Sequence, residues 1–170
     1  YHYNWRVPYA THAATPNWTA RPSAGPMPES ITAAGLADSG KTITTMTIRT
    51  LLDAGADSAI ALTAPDREAM TYAALRQHVD SVGRPLAARG LGRGDRVAIV
   101  LPNGPEMASS FLAVASFISA APLNPAYKES EYAFYLEDLA PKLVIVEAGS
   151  DNPVRQAAAA LSIPVVEAVV

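Results

Sequence analysis

The sequence lacks several of the residues on which whole classes of protein chemistry depend. It has no cysteine among its 170 residues, which excludes disulfides and thiolate catalysis. Its three histidines, His2, His12 and His78, are scattered and match no spacing typical of a metal site. We therefore expect no metal site.

Long apolar runs and an excess of one charge are missing as well. No run approaches the roughly 20 apolar residues of a membrane span, and no signal-peptide pattern is found, so a cytoplasmic location is expected. The formal net charge is only −3, which provides no basic surface for nucleic acid or an anionic membrane. The length of 170 residues suffices for one domain with a sizeable core.

Residues 1–45 differ in composition from the rest of the chain. Pro, Thr, Ser and Ala dominate them, and neither the strand period nor the helix period persists. Met46 then opens a segment typical of a natural start. We expect translation to begin at Met46, a largely disordered leader over 1–45, and one α/β subdomain over 46–170 that is incomplete at its C-terminus.

A phosphate-loop motif lies within this leader. Residues Gly35–Thr42 match G-x-x-x-x-G-K-[ST], in which backbone N–H groups and the lysine bind phosphates and the hydroxyl binds Mg²⁺. A working loop needs a buried strand before it and a helix after it. The preceding segment has one large apolar residue, Ile31, and the following segment is rich in β-branched residues, which start helices poorly. A nucleotide hydrolase that uses Gly40, Lys41 and Thr42 stays as the alternative function.

From Thr47 onward, short apolar runs alternate with amphipathic segments. Two runs have the character of strands buried on both faces, Val97–Leu101 and Leu143–Val146, and Ala120–Leu123 is a third candidate strand. Shorter strands are expected at 59–62 and after Pro164. Strands that alternate with helices in this way predict a doubly wound, mainly parallel α/β sheet with helices on both faces.

The helix between the first two of these strands is predicted in some detail. Asn103 is expected to cap it, with Pro105 in the first turn and Glu106 completing a near capping box. Its predicted buried face follows spacings of four, three and four: Met107, Phe111, Val114 and Ile118. Phe111 lies in the middle of that face, so its truncation to alanine is expected to cost about 3–5 kcal/mol.

A longer helix is predicted to begin after Thr71, its N-cap. Its core-facing stripe has spacings of three and four: Tyr72, Leu75, Val79, Val82 and Leu86. Gly83 and Pro85 interrupt this helix, and an interior proline costs about 3 kcal/mol, so a kink or an early end is expected. His78 lies beside the stripe and is expected at the surface or half-buried.

Two further patterns resemble functional motifs, but a structural role explains each of them better. The glycines at 90, 92 and 94 resemble a dinucleotide fingerprint, but they follow a helix and precede a strand, so they are assigned to a turn. Four acidic residues lie on a later predicted helix, where a solvated face explains them better than a catalytic cluster: Glu129, Glu131, Glu137 and Asp138.

The central part of the chain also carries a family resemblance. Residues 94–107 are GDRVAIVLPNGPEM, and residues 120–127 are AAPLNPAY. Both stretches resemble the early part of the acyl-CoA synthetases, members of the adenylate-forming enzymes, and within them the ligases of small acids and fatty acids. The resemblance extends from about Thr47 to the last residue. The Ser/Thr/Gly-rich phosphate loop of that family, of the type TSGTTGxPKG, is not in this sequence.

Membership of that family implies a two-step reaction in the full-length enzyme. A small-molecule carboxylic acid attacks ATP, with Mg²⁺ present, to give an acyl-adenylate and pyrophosphate, and the CoA thiol then displaces AMP. Both steps depend on residues from other segments, so no catalytic residue is assigned here. This chain alone is expected to be inactive, and none of ATP, Mg²⁺ and CoA is expected to bind it tightly.

The candidate site residues follow from the end of the sheet at which ligands bind. In open α/β sheets ligands lie beyond the carboxyl ends of the strands, here at 102–103, 124–127 and 147–151. The resemblance implies that the last two loops lie near the nucleotide end of CoA, so Asn124, Pro125 and Tyr127 are assigned as a CoA-binding rim. A simpler interpretation, that Asn124 and Pro125 only end a strand, stays open.

Overall fold

A computed structural model of the chain describes residues 47–169. The strands of this part are β1 Ile60–Leu62, β2 Met70–Thr71, β3 Arg96–Val100, β4 Ser119–Pro122, β5 Leu143–Glu147 and β6 Val165–Ala168. Its helices are α1 Ile48–Asp53, α2 Tyr72–Ala88, α3 Pro105–Ala115, α4 Glu129–Leu139 and α5 Val154–Ala160.

Strands β3 to β6 form one parallel sheet in the order β4-β3-β5-β6. Val97 of β3 lies opposite Ala120 of β4 and Leu143 of β5, and Val144 of β5 lies opposite Val165 of β6. Apart from one end residue each, β3 and β5 are buried, as expected for central strands covered on both faces. The three predicted parallel strands are therefore confirmed. β1 and β2 form a separate antiparallel pair.

Helices cover both faces of the parallel sheet. Val97 and Ile99 share a core with α2 and α3, whereas Ala98 and Val100 share a second core with α4 and α5, because successive strand residues point to opposite faces. The chain runs from β3 outward to β4 and then crosses back to β5. The predicted doubly wound fold is confirmed, and its winding changes direction between β3 and β5, where such sheets bind ligands.

Helix α2 follows the predicted stripe but not the predicted length. Thr71 is its N-cap, and its side chain accepts a hydrogen bond from the backbone N–H of Ala74 at 3.3 Å. Of the expected kink or early end, the early end is wrong, because the helix continues past Pro85 to Ala88. Gly83 is buried against the ring of Phe117, where a β-carbon would overlap ring atoms. This glycine therefore serves helix packing and not helix termination.

Helix α3 begins one residue later than predicted. Gly104 is its N-cap and no side-chain hydrogen bond caps it, so the capping box predicted for Asn103 and Glu106 is wrong. The reason lies in Pro105, which takes the first helical position, where its fixed φ and missing N–H cost nothing. The residue before that proline then becomes the N-cap.

The buried face of α3 also differs from the predicted one. It consists of Glu106, Ser109, Ser110, Ala113 and Val114. Phe111 is 37% exposed, so its predicted place at the centre of this face is wrong. The helix turns its small residues toward the core, which lets it lie close to the sheet, and Phe111 falls on the margin.

The glycines at 90, 92 and 94 and the acidic residues of α4 have the structural roles that were predicted for them. Gly90 has a φ of 83° in the turn that ends α2, a conformation that favours glycine. The carboxylate of Glu131 accepts the backbone N–H of Lys128 at 2.8 Å and so caps α4. The other acidic residues of that helix are exposed: Glu129, Glu137 and Asp138.

Several predictions fall outside the described residues. These are the leader over 1–45, the start at Met46 and the phosphate-loop motif Gly35–Thr42. Between residues 47 and 169, no helix combines the length and the apolar character that crossing a membrane requires.

Candidate functional site

The predicted rim lies in the loop between β4 and α4, at the carboxyl end of the sheet. Leu123 still donates its N–H to the carbonyl of Ile99 at 2.9 Å, which extends the ladder by one residue beyond β4. The side-chain oxygen of Asn124 then accepts the N–H of Ala126 at 3.0 Å, and the Asn124 carbonyl accepts the N–H of Tyr127 at 3.2 Å. Asparagine favours such side-chain turns, so residues 124–127 leave the strand direction in a defined shape.

Two side chains outside this loop hold its backbone. The hydroxyl of Tyr132, on α4, donates to the carbonyl of Asn124 at 2.8 Å. The side-chain amide of Asn152, in the loop after β5, donates to the carbonyl of Pro125 at 2.9 Å. The structure therefore brings together the two loops that, by the family resemblance, were expected near the nucleotide end of CoA.

Aromatic rings cover one side of the loop. The ring of Tyr127 stacks on that of Tyr135, with centroids 5.1 Å apart and planes inclined by 14°. It also meets the edge of Tyr132 at 5.7 Å. A hydrogen bond with Tyr135 is the largest of the effects that raise the pKa of Tyr127. Burial raises the pKa of Tyr132, partly opposed by a hydrogen bond with the Asn152 side chain. Both shifts keep the hydroxyls of Tyr127 and Tyr132 protonated at neutral pH.

The loop after β5 has its own internal support. Arg155 donates from Nε to the carbonyl of Ser150 at 2.6 Å and from Nη2 to the carboxylate of Glu167 on β6 at 2.7 Å. The side-chain oxygen of Asn152 accepts the N–H of Val154 at 3.0 Å, although Pro153 holds the N-cap position of α5. Asn152 thus begins the helix with its oxygen and binds the neighbouring loop with its nitrogen.

The roles of Tyr132 and Asn152 in this site were not predicted from the sequence. Tyr132 belongs to the apolar face of α4, and Asn152 precedes a helix, so local patterns explain both without reference to the loop. One signal could have indicated the role of Tyr132: it lies on the apolar face of α4, and a buried tyrosine hydroxyl needs a hydrogen-bond partner.

An ion pair lies close to the loop after β3, which is the remaining strand end at which a ligand was expected. Glu106, on the first turn of α3, is 8% exposed, and its Oε1 lies 3.3 Å from Nη2 of the half-exposed Arg67. The same Oε1 has no partner with hydrogen-bond geometry, so the contact is electrostatic. The pair links the β1–β2 connection to α3. Within residues 47–169, no group of three or more acidic or histidine side chains is arranged to hold a metal ion.

A cavity of about 650 Å³ lies beside the start of α2. Its lining includes Arg67, Met70, Gln77 and His78. His78 is only 7% exposed, so the prediction of a surface or half-buried histidine is wrong. It lies three residues after Leu75 and so falls within the buried stripe. Burial lowers the pKa of His78, which favours the neutral ring.

An open, doubly wound sheet whose loops meet beyond its carboxyl edge is a fold typical of nucleotide-dependent enzymes. Residues 53–170 match the family described as AMP-binding enzyme. The chain belongs to this family, and the resemblance found in the sequence is confirmed. The match begins after Gly35–Thr42 and gives no support to the alternative nucleotide hydrolase.

Curated relatives and solved structures agree with this assignment. The chain is 42% identical over 95 residues to a probable CoA ligase, CCL9, of Humulus lupulus, covering 55% of this chain and 18% of that protein. It is 36% identical over 109 residues to the oxalate–CoA ligase of Arabidopsis thaliana, covering 58% and 21%. It superimposes on ATP-bound MatB from Rhodopseudomonas palustris with a TM-score of 0.61 and 27% identity, covering 71% and 25%. The chain thus spans about a fifth of the length of these curated relatives.

Proposed function

We propose that this chain is part of an ATP-dependent acid–thiol ligase, an acyl-CoA synthetase. The observation that carries the proposal is the family match over residues 53–170, together with the CoA-ligase names of the two relatives described above. The expected partners are a small or fatty carboxylic acid, ATP, Mg²⁺ and CoA, and the expected compartment is the cytoplasm.

In the complete enzyme the reaction has two steps. A carboxylate oxygen of the acid attacks the α-phosphorus of ATP, the bond to the β-phosphate oxygen breaks, and pyrophosphate leaves. The sulfur of CoA then attacks the acyl carbon and loses its proton, and AMP leaves with the electrons of the broken bond. Mg²⁺ neutralises phosphate charge in such reactions.

The contribution of this chain is the sheet and a rim for the nucleotide end of CoA. We assign the rim to Asn124, Pro125 and Tyr127, supported by their place at the carboxyl edge of the sheet and by their contact with the loop after β5. If these residues only end a strand, substituting them should leave CoA binding unchanged. The ATP loop and the catalytic residues belong to other segments of the enzyme.

Enzyme assays test the ligase proposal. The 170-residue chain, supplied with ATP, Mg²⁺ and a set of carboxylic acids, is expected to release no pyrophosphate. A hybrid in which residues 53–170 replace the matching segment of the Arabidopsis oxalate–CoA ligase is expected to release pyrophosphate when oxalate is added. Mg²⁺-dependent ATP hydrolysis by the 170-residue chain, abolished by Lys41→Ala, would contradict the proposal.

The start at Met46 is a separate proposal, supported by the change of composition at that point. Mass spectrometry of the protein isolated from its source cell tests it. Only peptides that begin at or after Met46 are expected, and peptides from residues 1–45 would contradict it.

A further inference from the structure

We infer that Tyr132 and Asn152 are positioning residues that fix the β4–α4 loop in the shape required to bind the nucleotide end of CoA. The inference rests on the proposed function, because it concerns the rim assigned there. Neither residue needs to touch CoA. Each acts through the backbone of the loop that does.

The geometry singles out these two residues. Their side chains come from different elements and bind consecutive carbonyls of one loop, Tyr132 at Asn124 and Asn152 at Pro125. Tyr132 is fully buried, and its hydroxyl reaches a loop that is exposed at Asn124 and Ala126. The loop is thus anchored from below by α4 and from the side by the neighbouring loop.

The internal bonds of the loop cannot provide this anchoring. Within the loop, the Asn124 side chain accepts the N–H of Ala126 and the Asn124 carbonyl accepts the N–H of Tyr127. These bonds define a local shape but not its position over the sheet. Pro125 has no N–H to donate, so its carbonyl is its only backbone group that can bind another element.

Fixing the loop before CoA arrives should strengthen binding. A loop that is ordered only on binding loses conformational freedom at that moment, and this loss subtracts from affinity. Removing one anchoring hydrogen bond should free the loop without unfolding the sheet, since a single bond contributes modestly to stability. The expected signature is weaker CoA binding with an unchanged core.

Two conservative variants isolate the anchoring bonds. Tyr132→Phe keeps the buried ring and removes only the hydroxyl. Asn152→Asp keeps the oxygen that accepts the N–H of Val154 and removes the N–H₂ that binds the carbonyl of Pro125 and also interacts with the Tyr132 side chain. Gln156→Glu is the matched control for Asn152→Asp, because it introduces the same charge at an exposed position of α5.

Nuclear magnetic resonance on the 170-residue chain tests the inference without enzyme activity. CoA and adenosine 3′,5′-bisphosphate, which is its nucleotide end, are titrated to millimolar concentration while backbone amide signals are followed. In the wild-type chain, the signals of Ala126 and Tyr127 are expected to shift. In Tyr132→Phe and Asn152→Asp the dissociation constant should rise about fivefold, as expected for one lost hydrogen bond. Hydrogen exchange at these amides should accelerate while exchange in β5 stays unchanged.

The outcomes separate the inference from the proposal beneath it. If neither ligand shifts the loop signals of the wild-type chain, the rim assignment fails and the inference fails with it. If the wild-type chain binds and Tyr132→Phe binds equally well, the inference alone is overturned. It is also overturned if Gln156→Glu weakens binding as much as Asn152→Asp, or if loop exchange stays at the wild-type rate in both variants.

Discussion

Gly83→Ala is expected to destabilise the fold, although alanine favours helices more than glycine does. A β-carbon at Gly83 would lie 2.9 Å from Cγ of Phe117 and closer still to two other ring carbons. Relief of this overlap requires the ring or the α2 backbone to move. Overpacking of this kind costs about 1–3 kcal/mol, and the overlap with three ring atoms places Gly83 toward the upper end.

Helix propensity offsets part of that cost. Replacing an interior helical glycine by alanine gains about 1 kcal/mol when nothing obstructs the methyl group. The expected net loss is therefore about 1–2 kcal/mol in the free energy of unfolding, measured by urea denaturation. Gly92→Ala is the matched control, because a β-carbon there meets no atom within 4 Å, and it should be neutral or slightly stabilising.

A double variant tests the cause. With Phe117 already replaced by alanine, Gly83→Ala should become stabilising by about 1 kcal/mol, because the obstruction is gone and only propensity acts. If Gly83→Ala alone is as stable as the wild-type chain, Phe117 does not obstruct a β-carbon at position 83 and the reasoning is refuted.

Three further predictions concern single side chains. Phe111→Ala should lower the free energy of unfolding by about 1–2 kcal/mol and Ile118→Ala by about 2–5 kcal/mol, because Phe111 is partly exposed and Ile118 is buried. Equal losses in chemical denaturation would indicate that Phe111 is buried after all. Burial holds the pKa of His78 below its ordinary 6.5, so below pH 6.5 the unfolded chain binds more protons and stability should fall as the pH drops through the folded-state pKa. His78→Gln should flatten that dependence, and an unchanged pH profile would contradict it. Arg67→Ala should lower the free energy of unfolding by about 1–2 kcal/mol, because it leaves the buried Glu106 carboxylate unpaired; the figure is reduced because Arg67 is half exposed. Arg67→Ala combined with Glu106→Gln should lower the free energy of unfolding by less, and a larger loss in the double variant would contradict this reasoning.

The central sheet could be predicted because its signals are local. In β3 and β5, residues on both faces are buried, so the chain shows unbroken apolar runs that need no knowledge of their neighbours. Their alternation with helices then leaves few topologies, and the carboxyl edge follows from the topology.

Apart from the N-cap of α3, several errors and omissions arose where the surroundings of a side chain in the fold decided the outcome. On α3 the small Ser110 is buried and the larger Phe111 is partly exposed, although the apolar spacing predicted the reverse. Gly83 has the appearance of a helix breaker in the sequence, and only Phe117 reveals its role. The bond between Asn152 and Pro125 joins residues 27 positions apart, which no local pattern encodes.

The strand order leaves the parallel sheet with two unequal outer strands. β4 includes Pro122, which has no N–H to offer to a further strand, and proline blunts an edge against backbone pairing. β6 consists of Val165–Ala168, in which every residue has an N–H, and among residues 47–169 only β5 pairs with it. Extension of the sheet, by another segment or by another molecule that aggregates with it, is therefore open on the β6 side and hindered on the β4 side.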